Sequence, residues 1–404
     1  MPLPPNIGPE TDRPDLDRAV LDLRALAASG RQALMSPTER SRLLGRTLFD
    51  DLFVLELANN HWGSLARGLK IIDDFAAVVR RNGVKAAIKL QFRDVDTFIH
   101  RDFRAATDIR YVKKTADTRL PWSELRQLVE AVRAAGLVTM VTPFDEISVG
   151  KCVEFGVEIL KIASSDIRDT RLVGAMLATG KPAIMSTGGS SLEDVDALVA
   201  LYAGRNIPLA INHCVSIYPS EDGELELNQI DFLRTRYPDN VIGFSTHEYT
   251  DWATSVAIAY GKGARTFERH IDIDQDGIPV SAYCTLPEQA DLWFRAFARA
   301  QRMCGGSAKA KRQPPEKETR YLDALVRGVY ARRPIRAGEL LGDDDIYLAI
   351  PLQQGQMSCR ELGGGALALQ DMSPDAPVMF DDVDIETARS EEIGSLIRAR
   401  GIAC

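Results

Sequence analysis

The residues of this chain that could do chemistry follow short apolar runs. Glu56, Lys89, Lys161, His213 and His247 each stand at or just after the end of such a run. Carboxylates and imidazoles transfer protons, ammonium groups hold anions, and imidazoles bind divalent metals. Four of the five histidines share this placement, which favours a site over capping or solubility roles. The other polar residues at these ends are Asn59, Asn60, His61, Gln91, Thr142, Asp145, Ser164, Ser165, Asp166, Ser186, Thr187, Ser216, Ser245, Glu268 and His270.

Two lysines and several hydroxyls indicate an anionic substrate. Lys89 and Lys161 stand near Ser164, Ser186 and Thr187, and a Gly pair follows the last of these. Ammonium groups and backbone amides both favour a phosphate or carboxylate. Lys161 could instead form a Schiff base, as in barrel aldolases, and the sequence leaves both readings open.

Two histidines predict an open site for a divalent metal. His213 and His247 end successive apolar runs, and two imidazoles completed by water and a substrate oxygen form such a site. A structural role for either histidine has nearly equal weight. Cys214 is expected to point into the protein wall as a small hydrophobe.

Eight candidate strands must position these residues. Apolar, β-branched runs alternate with stretches of helical periodicity, as parallel βα units do. Eight units within about 250 residues predict a closed (β/α)8 barrel, whose functional groups project from the C-terminal strand ends. The turn ELANNHWG carries no GxGxxG, which disfavours a doubly wound dinucleotide fold. The predicted strands span residues 53–57, 86–91, 138–142, 158–162, 182–186, 209–213, 241–245 and 265–268.

Composition excludes several classes of function. The chain has 404 residues, 45% of them hydrophobic, and a net charge of −8, which disfavours nucleic acid or an anionic membrane as a partner. Six cysteines show no CxxC pair, so neither a zinc knuckle nor a disulfide framework is indicated. The N-terminus lacks the pattern of a signal peptide, and no run of 18 apolar residues follows. We therefore expect a cytoplasmic protein.

The chain divides by composition into five segments. Residues 1–50 form an extension with an accessory helix, and residues 51–303 form the barrel. A charged, proline-containing linker at 304–320 precedes a compact β-rich domain at 321–385. Residues 386–404 are predicted to be a helical tail.

The motifs, in this order, resemble those of the sialic acid synthase family. ELANNHWGS is similar to the family's EIGxNHxG, AIKLQF to VKFQ, TPFDEISV to TPFD, and KIASSD to KIxSGE. MSTGGSSLEDV, NHCVSIYP, GFSTHEYT and FERHIDID are similar to four further family motifs. RGVYARRPIRAGELL resembles the antifreeze-like (SAF) domain that follows the barrel in this family. The resemblance covers roughly residues 50–385.

This resemblance implies a reaction. The family condenses phosphoenolpyruvate with an N-acetylated hexose or related aldose, giving a 3-deoxy-2-keto acid and phosphate. It implies a metal, most often Mn²⁺ with Mg²⁺ or Co²⁺ possible, bound by His213 and His247. It also implies a domain-swapped homodimer in which the small domain of one chain covers the partner's barrel.

The family pattern also assigns substrate contacts. Glu56 or Asp166 is the candidate for proton transfer, and Lys161 is placed at the reacting groups. The residues implied around phosphoenolpyruvate are Lys89, Lys161, Ser164, Ser186 and Thr142. The residues implied near the sugar are Asn60, Gln91 and Tyr218.

The C-terminal domain departs from the family pattern. Where the family reads KRPGxGI, with an arginine that reaches the sugar, this chain reads YLAIPLQQGQMSCRELGGG. Arg327 or Arg360 is the candidate substitute. Two other readings stay open, a Schiff-base aldolase or lyase on Lys161 and a non-catalytic descendant that binds a glycan or a partner.

Overall fold

The computed structural model describes residues 36–306, 310–361, 365–385 and 391–403. The chain divides into two compact units, Met1–Gly305 and Gly306–Cys404. The accessory helix predicted within residues 16–34 lies outside the described residues. The domain boundaries drawn from composition stay a prediction.

Eight parallel strands of the first unit close into a barrel in chain order. This confirms the predicted (β/α)8 fold, and each of the eight predicted strands is present within a few residues. The strands are β1 (Leu52–Ala58), β2 (Lys85–Phe92), β3 (Val138–Pro143), β4 (Ile159–Ile162), β5 (Ala183–Ser186), β6 (Leu209–Cys214), β7 (Val241–Ser245) and β8 (Thr266–His270).

Helices surround the barrel, and local sequence signals set their ends. The Ser64 hydroxyl caps the first long one, and Gly83 ends it with φ 63°, a conformation that glycine adopts without strain. The helices of this unit are α1 (Pro37–Phe49), α2 (Leu65–Asn82), α3 (Val95–Phe98), α4 (Arg110–Asp117), α5 (Trp122–Ala134), α6 (Glu146–Glu154), α7 (Thr170–Ala178), α8 (Leu192–Gly204), α9 (Asn228–Arg236), α10 (Thr254–Lys262) and α11 (Pro287–Cys304).

Alternation along the strands gives the barrel two separate cores. Side chains that point outward pack against the helices, as Phe53 does against Trp293 and Phe294. Side chains that point inward form an apolar plug at the amino-terminal end, which Phe49 of α1 joins. The inward members of this plug include Leu52, Val54, Ala87, Met140, Ile159, Ile184, Ala210 and Val241. The polar groups of the interior are therefore left to the opposite, carboxyl end.

The second unit is built from short antiparallel pairs. One sheet pairs β9 (Gly328–Ala331) with β11 (Ile346–Ala349), and the other orders β10 (Leu340–Leu341), β12 (Ala366–Ala368) and β13 (Val383–Asp384) as β10-β12-β13. Helix α12 (Glu316–Asp323) begins inside the segment predicted to be a linker. Helix α13 (Glu391–Ala399) lies in the predicted tail, and its Ile397 packs in the core of this unit. Among the described residues, no helix has the length and apolarity needed to cross a bilayer.

Candidate active site

Three charged side chains meet inside the barrel where β1, β2 and β8 end. Glu56 lies opposite Lys89 in one strand pair and opposite His270 in the other. The Lys89 ammonium donates to Glu268 Oε1 at 2.7 Å and also pairs with Glu56. Burial lowers the pKa of Lys89 to about 8, against the opposing effect of Glu268. A cation is thus held in the interior by two carboxylates.

A second cation and several hydroxyls lie at β4 and β5. Lys161 Nζ donates to Ser186 Oγ at 2.7 Å and to the Ile162 carbonyl at 3.0 Å. A Cβ on Gly188 would collide with Ser216 Oγ and touch Ser164 Oγ, so glycine leaves room for these hydroxyls. Thr142 Oγ1 is buried with no hydrogen-bond partner among the described residues. This part of the mouth is equipped to receive an anion, as the sequence indicated.

Two histidines lie together at the ends of β7 and β8. The His247 and His270 rings have centroids 5.6 Å apart, and the Tyr218 ring lies 3.9 Å from that of His247. His247 Nδ1 donates to the Val215 carbonyl at 3.0 Å, which leaves Nε2 for a ligand. Burial lowers the pKa of His247 to about 4 and that of His270 well below its ordinary value. Both imidazoles are therefore neutral near pH 7, the form that binds metals.

His213, predicted as a metal ligand beside His247, faces the opposite side of its strand. Its neighbours Asn212 and Cys214 point inward, since Asn212 meets Thr266 across the barrel and Cys214 lies near Lys161. The His213 ring instead stacks on Phe244 of the outer core, with Nε2 bonded to the Leu225 carbonyl at 2.7 Å. The structure thus brings His270, not His213, together with His247. The same alternation corrects the expectation that Cys214 points into the wall.

The remaining predicted site residues differ in their surroundings. Gln91 Nε2 donates to Glu56 Oε1 at 3.2 Å, inside the mouth. Burial raises the pKa of Asp166, and its Oδ2 has no hydrogen-bond partner among the described residues. Asn60 is buried and donates to the Ile271 carbonyl at 2.7 Å, a contact that fixes the loop after β1. Tyr218 is half exposed at the mouth.

Arg327 and Arg360, predicted to reach the sugar, belong to the second unit. Arg360 is exposed, and its Nη1 lies 3.8 Å from an oxygen of Asp323 in the same unit. A role for either arginine at the sugar stays a prediction.

A divalent cation fits the residues at β7 and β8. His247 and His270 offer two neutral imidazoles, and Glu268 Oε2 is buried with no hydrogen-bond partner among the described residues. Within the described ranges, no three or more His, Cys, Asp or Glu side chains are arranged to enclose an ion. Two protein ligands with open positions describe a site that substrate and water would complete.

Two lysines, two carboxylates and two histidines thus lie inside a (β/α)8 barrel, at the end where enzymes of this fold place their active sites. Residues 78–306 match the model of the NeuB family, and residues 326–384 match that of the SAF domain. The chain belongs to the NeuB family, in agreement with the resemblance to sialic acid synthases.

Known proteins support this placement. A crystal structure of a protein assigned as spore coat polysaccharide biosynthesis protein E from Chromobacterium violaceum is 36% identical, with a TM-score of 0.79 over 83% of this chain and 100% of that chain. The spore coat polysaccharide biosynthesis protein SpsE of Bacillus subtilis is 26% identical over 82% of this chain and 92% of its own. The N-acetylneuraminic acid synthetase of Leptospira borgpetersenii is 26% identical, with a TM-score of 0.58 over 67% of this chain and 90% of that chain.

Proposed function

We propose that this protein condenses phosphoenolpyruvate with an aldose to give a 3-deoxy-2-keto acid and phosphate, with a divalent cation held by His247 and His270. Family membership and the similarity to the N-acetylneuraminic acid synthetase of Leptospira borgpetersenii support the reaction class. One observation carries the proposal: the two lysines, Lys89 and Lys161, and the two neutral histidines, His247 and His270, all lie at the same end of the barrel interior. Mn²⁺ is the first candidate for the cation, with Mg²⁺ or Co²⁺ as alternatives. The proposed acceptor is N-acetylmannosamine or a related sugar.

The cationic residues bind and orient phosphoenolpyruvate. Lys89 and Lys161 offset the charges of its carboxylate and phosphate, and the Ser186 hydroxyl, which accepts from Lys161, can donate to the same oxygens. C3 of phosphoenolpyruvate then attacks the aldehyde carbon, and water adds at C2 as phosphate leaves. A bound divalent cation would supply Lewis-acid polarisation of the aldehyde oxygen.

Proton transfer is assigned to Asp166. Glu56 is engaged in an ion pair with Lys89, whereas burial raises the pKa of Asp166 and leaves Oδ2 without a partner among the described residues. Asp166 can thus hold the proton that the oxygen of the former aldehyde takes up. Water releases one proton when it adds at C2, which replaces the proton taken up by the aldehyde oxygen. Its second proton goes to the phosphate when the C2–O bond to phosphate breaks and the C2 keto group forms.

The test is phosphate release from phosphoenolpyruvate, with Mn²⁺ or chelator, across N-acetylmannosamine, diacetamido-trideoxyhexoses and unsubstituted aldoses. We expect release that needs both one aldose and the cation. His270→Ala should abolish release, whereas His213→Ala should retain it. Release without any aldose, or covalent trapping of a substrate on Lys161 by borohydride, would contradict the proposal and favour the aldolase reading.

Two further expectations belong to this proposal. The homodimer implied by the resemblance would complete each barrel with the partner's small unit, and light scattering of the purified protein tests it. A cytoplasmic location, expected from the composition, is consistent with the reaction.

A further inference from the structure

A small, open polar cleft lies beside the candidate site, between the ends of β1 and β2 and the helices α4 and α5. Its lining includes Asn59, His61, Gln91, Arg93, Thr115 and Thr118. Gln91 links it to the interior, since Gln91 also donates to Glu56. The reaction as described above makes no use of this cleft.

Arg93 brings a positive charge to the cleft. Its guanidinium lies 3.7 Å from the centroid of the Phe144 ring, and Nη1 donates to Gln91 Oε1 at 3.0 Å. Within the described ranges, no carboxylate oxygen lies within 4.0 Å of it. Stacking occupies the face of the guanidinium and leaves N–H groups on its edge available. A planar cation so placed suits a bidentate oxyanion.

The nearest acids do not neutralise this arginine by direct contact. Asp145 accepts the backbone N–H groups of Asp94 at 2.8 Å and Ser148 at 2.7 Å, and Asp166 accepts the Ser165 hydroxyl at 2.8 Å. Burial lowers the pKa of Arg93 to about 10, against the opposing effects of Asp166 and Asp145. The guanidinium therefore keeps its charge near pH 7.

His61 adds a second donor, independent of Arg93. Its side chain is only 2% exposed, and its Nδ1 accepts the Gly63 N–H at 3.1 Å. Burial lowers its pKa to about 4, so the ring is neutral and its proton resides on Nε2. That N–H has no acceptor among the described residues. His61 thus offers a second donor to a ligand that enters the cleft, beside an arginine that forms no salt bridge among the described residues.

We propose that this cleft binds an oxyanionic substituent of the acceptor sugar, a carboxylate or a phosphate ester, and that Arg93 determines this specificity. The proposal rests on the proposed function, because the cleft continues from the mouth through Gln91. Hydrogen bonds from Arg93 and His61 would place the acidic end of the sugar there. The aldehyde end would then extend towards Lys89 and the histidines.

The test measures kcat/KM for matched acceptors, N-acetylmannosamine, its 6-phosphate and its 6-carboxylate. Wild type should favour one acidic sugar by at least about 10-fold, and the favoured sugar distinguishes carboxylate from phosphate. Arg93→Gln should lower kcat/KM for that sugar by about 10- to 100-fold, the range for a charge-assisted hydrogen bond. The same variant should change the value for the neutral sugar by less than about 3-fold, and Arg93→Lys should be intermediate.

Two controls separate this effect from misfolding. Arg101→Gln removes an exposed arginine of the same connection and should match wild type. Phosphoenolpyruvate affinity, measured by calorimetry, should be the same in Arg93→Gln and wild type. Equal kcat/KM of wild type for neutral and acidic sugars would overturn this inference but leave the proposed function intact. An equal loss of kcat/KM for both kinds of sugar in Arg93→Gln would do the same. No phosphate release with any aldose would remove the proposed function and this inference with it.

Discussion

Two buried ion clusters lie on opposite sides of the same barrel wall. Lys89 with Glu56 and Glu268 faces the interior, whereas Arg269 with Glu248 faces the outer layer, one residue away from Glu268 and His270. Both clusters are almost completely shielded from water. They differ in how the cation of each cluster is hydrogen-bonded within the protein.

In the outer cluster, Arg269 donates to three acceptors of the protein. Arg269 donates to Thr285 Oγ1 at 2.9 Å, to the Glu248 carbonyl at 2.7 Å and to the Glu248 carboxylate. Arg269 and its partner Glu248 are the sequence neighbours of His270 and His247. The backbone also holds both histidines, since the Thr285 N–H donates to the His270 carbonyl and the Ser220 N–H donates to the His247 carbonyl. We therefore expect the outer cluster to position residues, whereas the inner one would contact substrate in the proposed reaction.

The largest expected effect is on stability, from breaking the outer cluster. Arg269→Met leaves Glu248 as an uncompensated buried charge, which costs about 3–5 kcal/mol. Guanidinium unfolding followed by tryptophan fluorescence measures it, because all four tryptophans lie in the barrel unit. Mn²⁺ affinity, measured by calorimetry, should fall by about 10- to 100-fold through displacement of the histidines.

The double variant Arg269→Met with Glu248→Leu serves as the control. Removing both charges should recover most of the lost stability, while the metal affinity stays low because the link between the two segments is gone. Full Mn²⁺ affinity in the destabilised single variant would show that the outer cluster has no positioning role.

The inner cluster should respond in activity rather than in stability. Lys89→Met removes a cation from the substrate site and should lower kcat/KM by about 100- to 1000-fold. Its effect on the unfolding midpoint should be smaller than that of Arg269→Met, because burial of the Lys89 ammonium, which lowers its pKa to about 8, already costs free energy that the variant no longer bears. Phosphate release and the same fluorescence assay check both statements. Wild-type activity would remove Lys89 from the site.

A pH profile sharpens the same comparison. Burial lowers the pKa of Lys89 to about 8, so the ammonium loses its proton as the pH rises through that value. kcat/KM should fall by up to about tenfold for each pH unit above 8. Stability should move the opposite way, because a lysine with a lowered pKa in the folded state disfavours folding while it is protonated. The difference in unfolding free energy between wild type and Lys89→Met should therefore rise from pH 8 towards pH 10.

Parallel profiles of activity and of that stability difference would contradict this assignment. Lys89→Met should show no fall in its residual activity near pH 8. Phosphoenolpyruvate itself is fully ionised in this range, which leaves the protein as the source of the change.

The sequence predicted the barrel and its mouth but not which side of each strand a residue faces. The eight strands are short, apolar and separated by helical periods, so their number and direction follow from pattern alone. Strand β6, LAINHC, is buried on both faces, and its residues therefore show no alternation from which to read direction. His270 could have been found, because it stands two residues after Glu268 and so shares its side. The contacts of Arg93 depend on Phe144, the residue that follows β3, and no pattern local to Arg93 reveals this neighbour.

The smallest expected effect concerns His213, the histidine on the outer side. His213→Ala removes the bond to the Leu225 carbonyl and the stacking on Phe244, and should lower the unfolding free energy by about 1–2 kcal/mol. kcat/KM and Mn²⁺ affinity should stay within about 3-fold of wild type, since no group in the interior changes. His270→Ala is the matched control, expected to lose metal affinity without a comparable loss of stability. Loss of Mn²⁺ binding in His213→Ala without the loss of metal affinity expected in His270→Ala would restore the assignment made from the sequence.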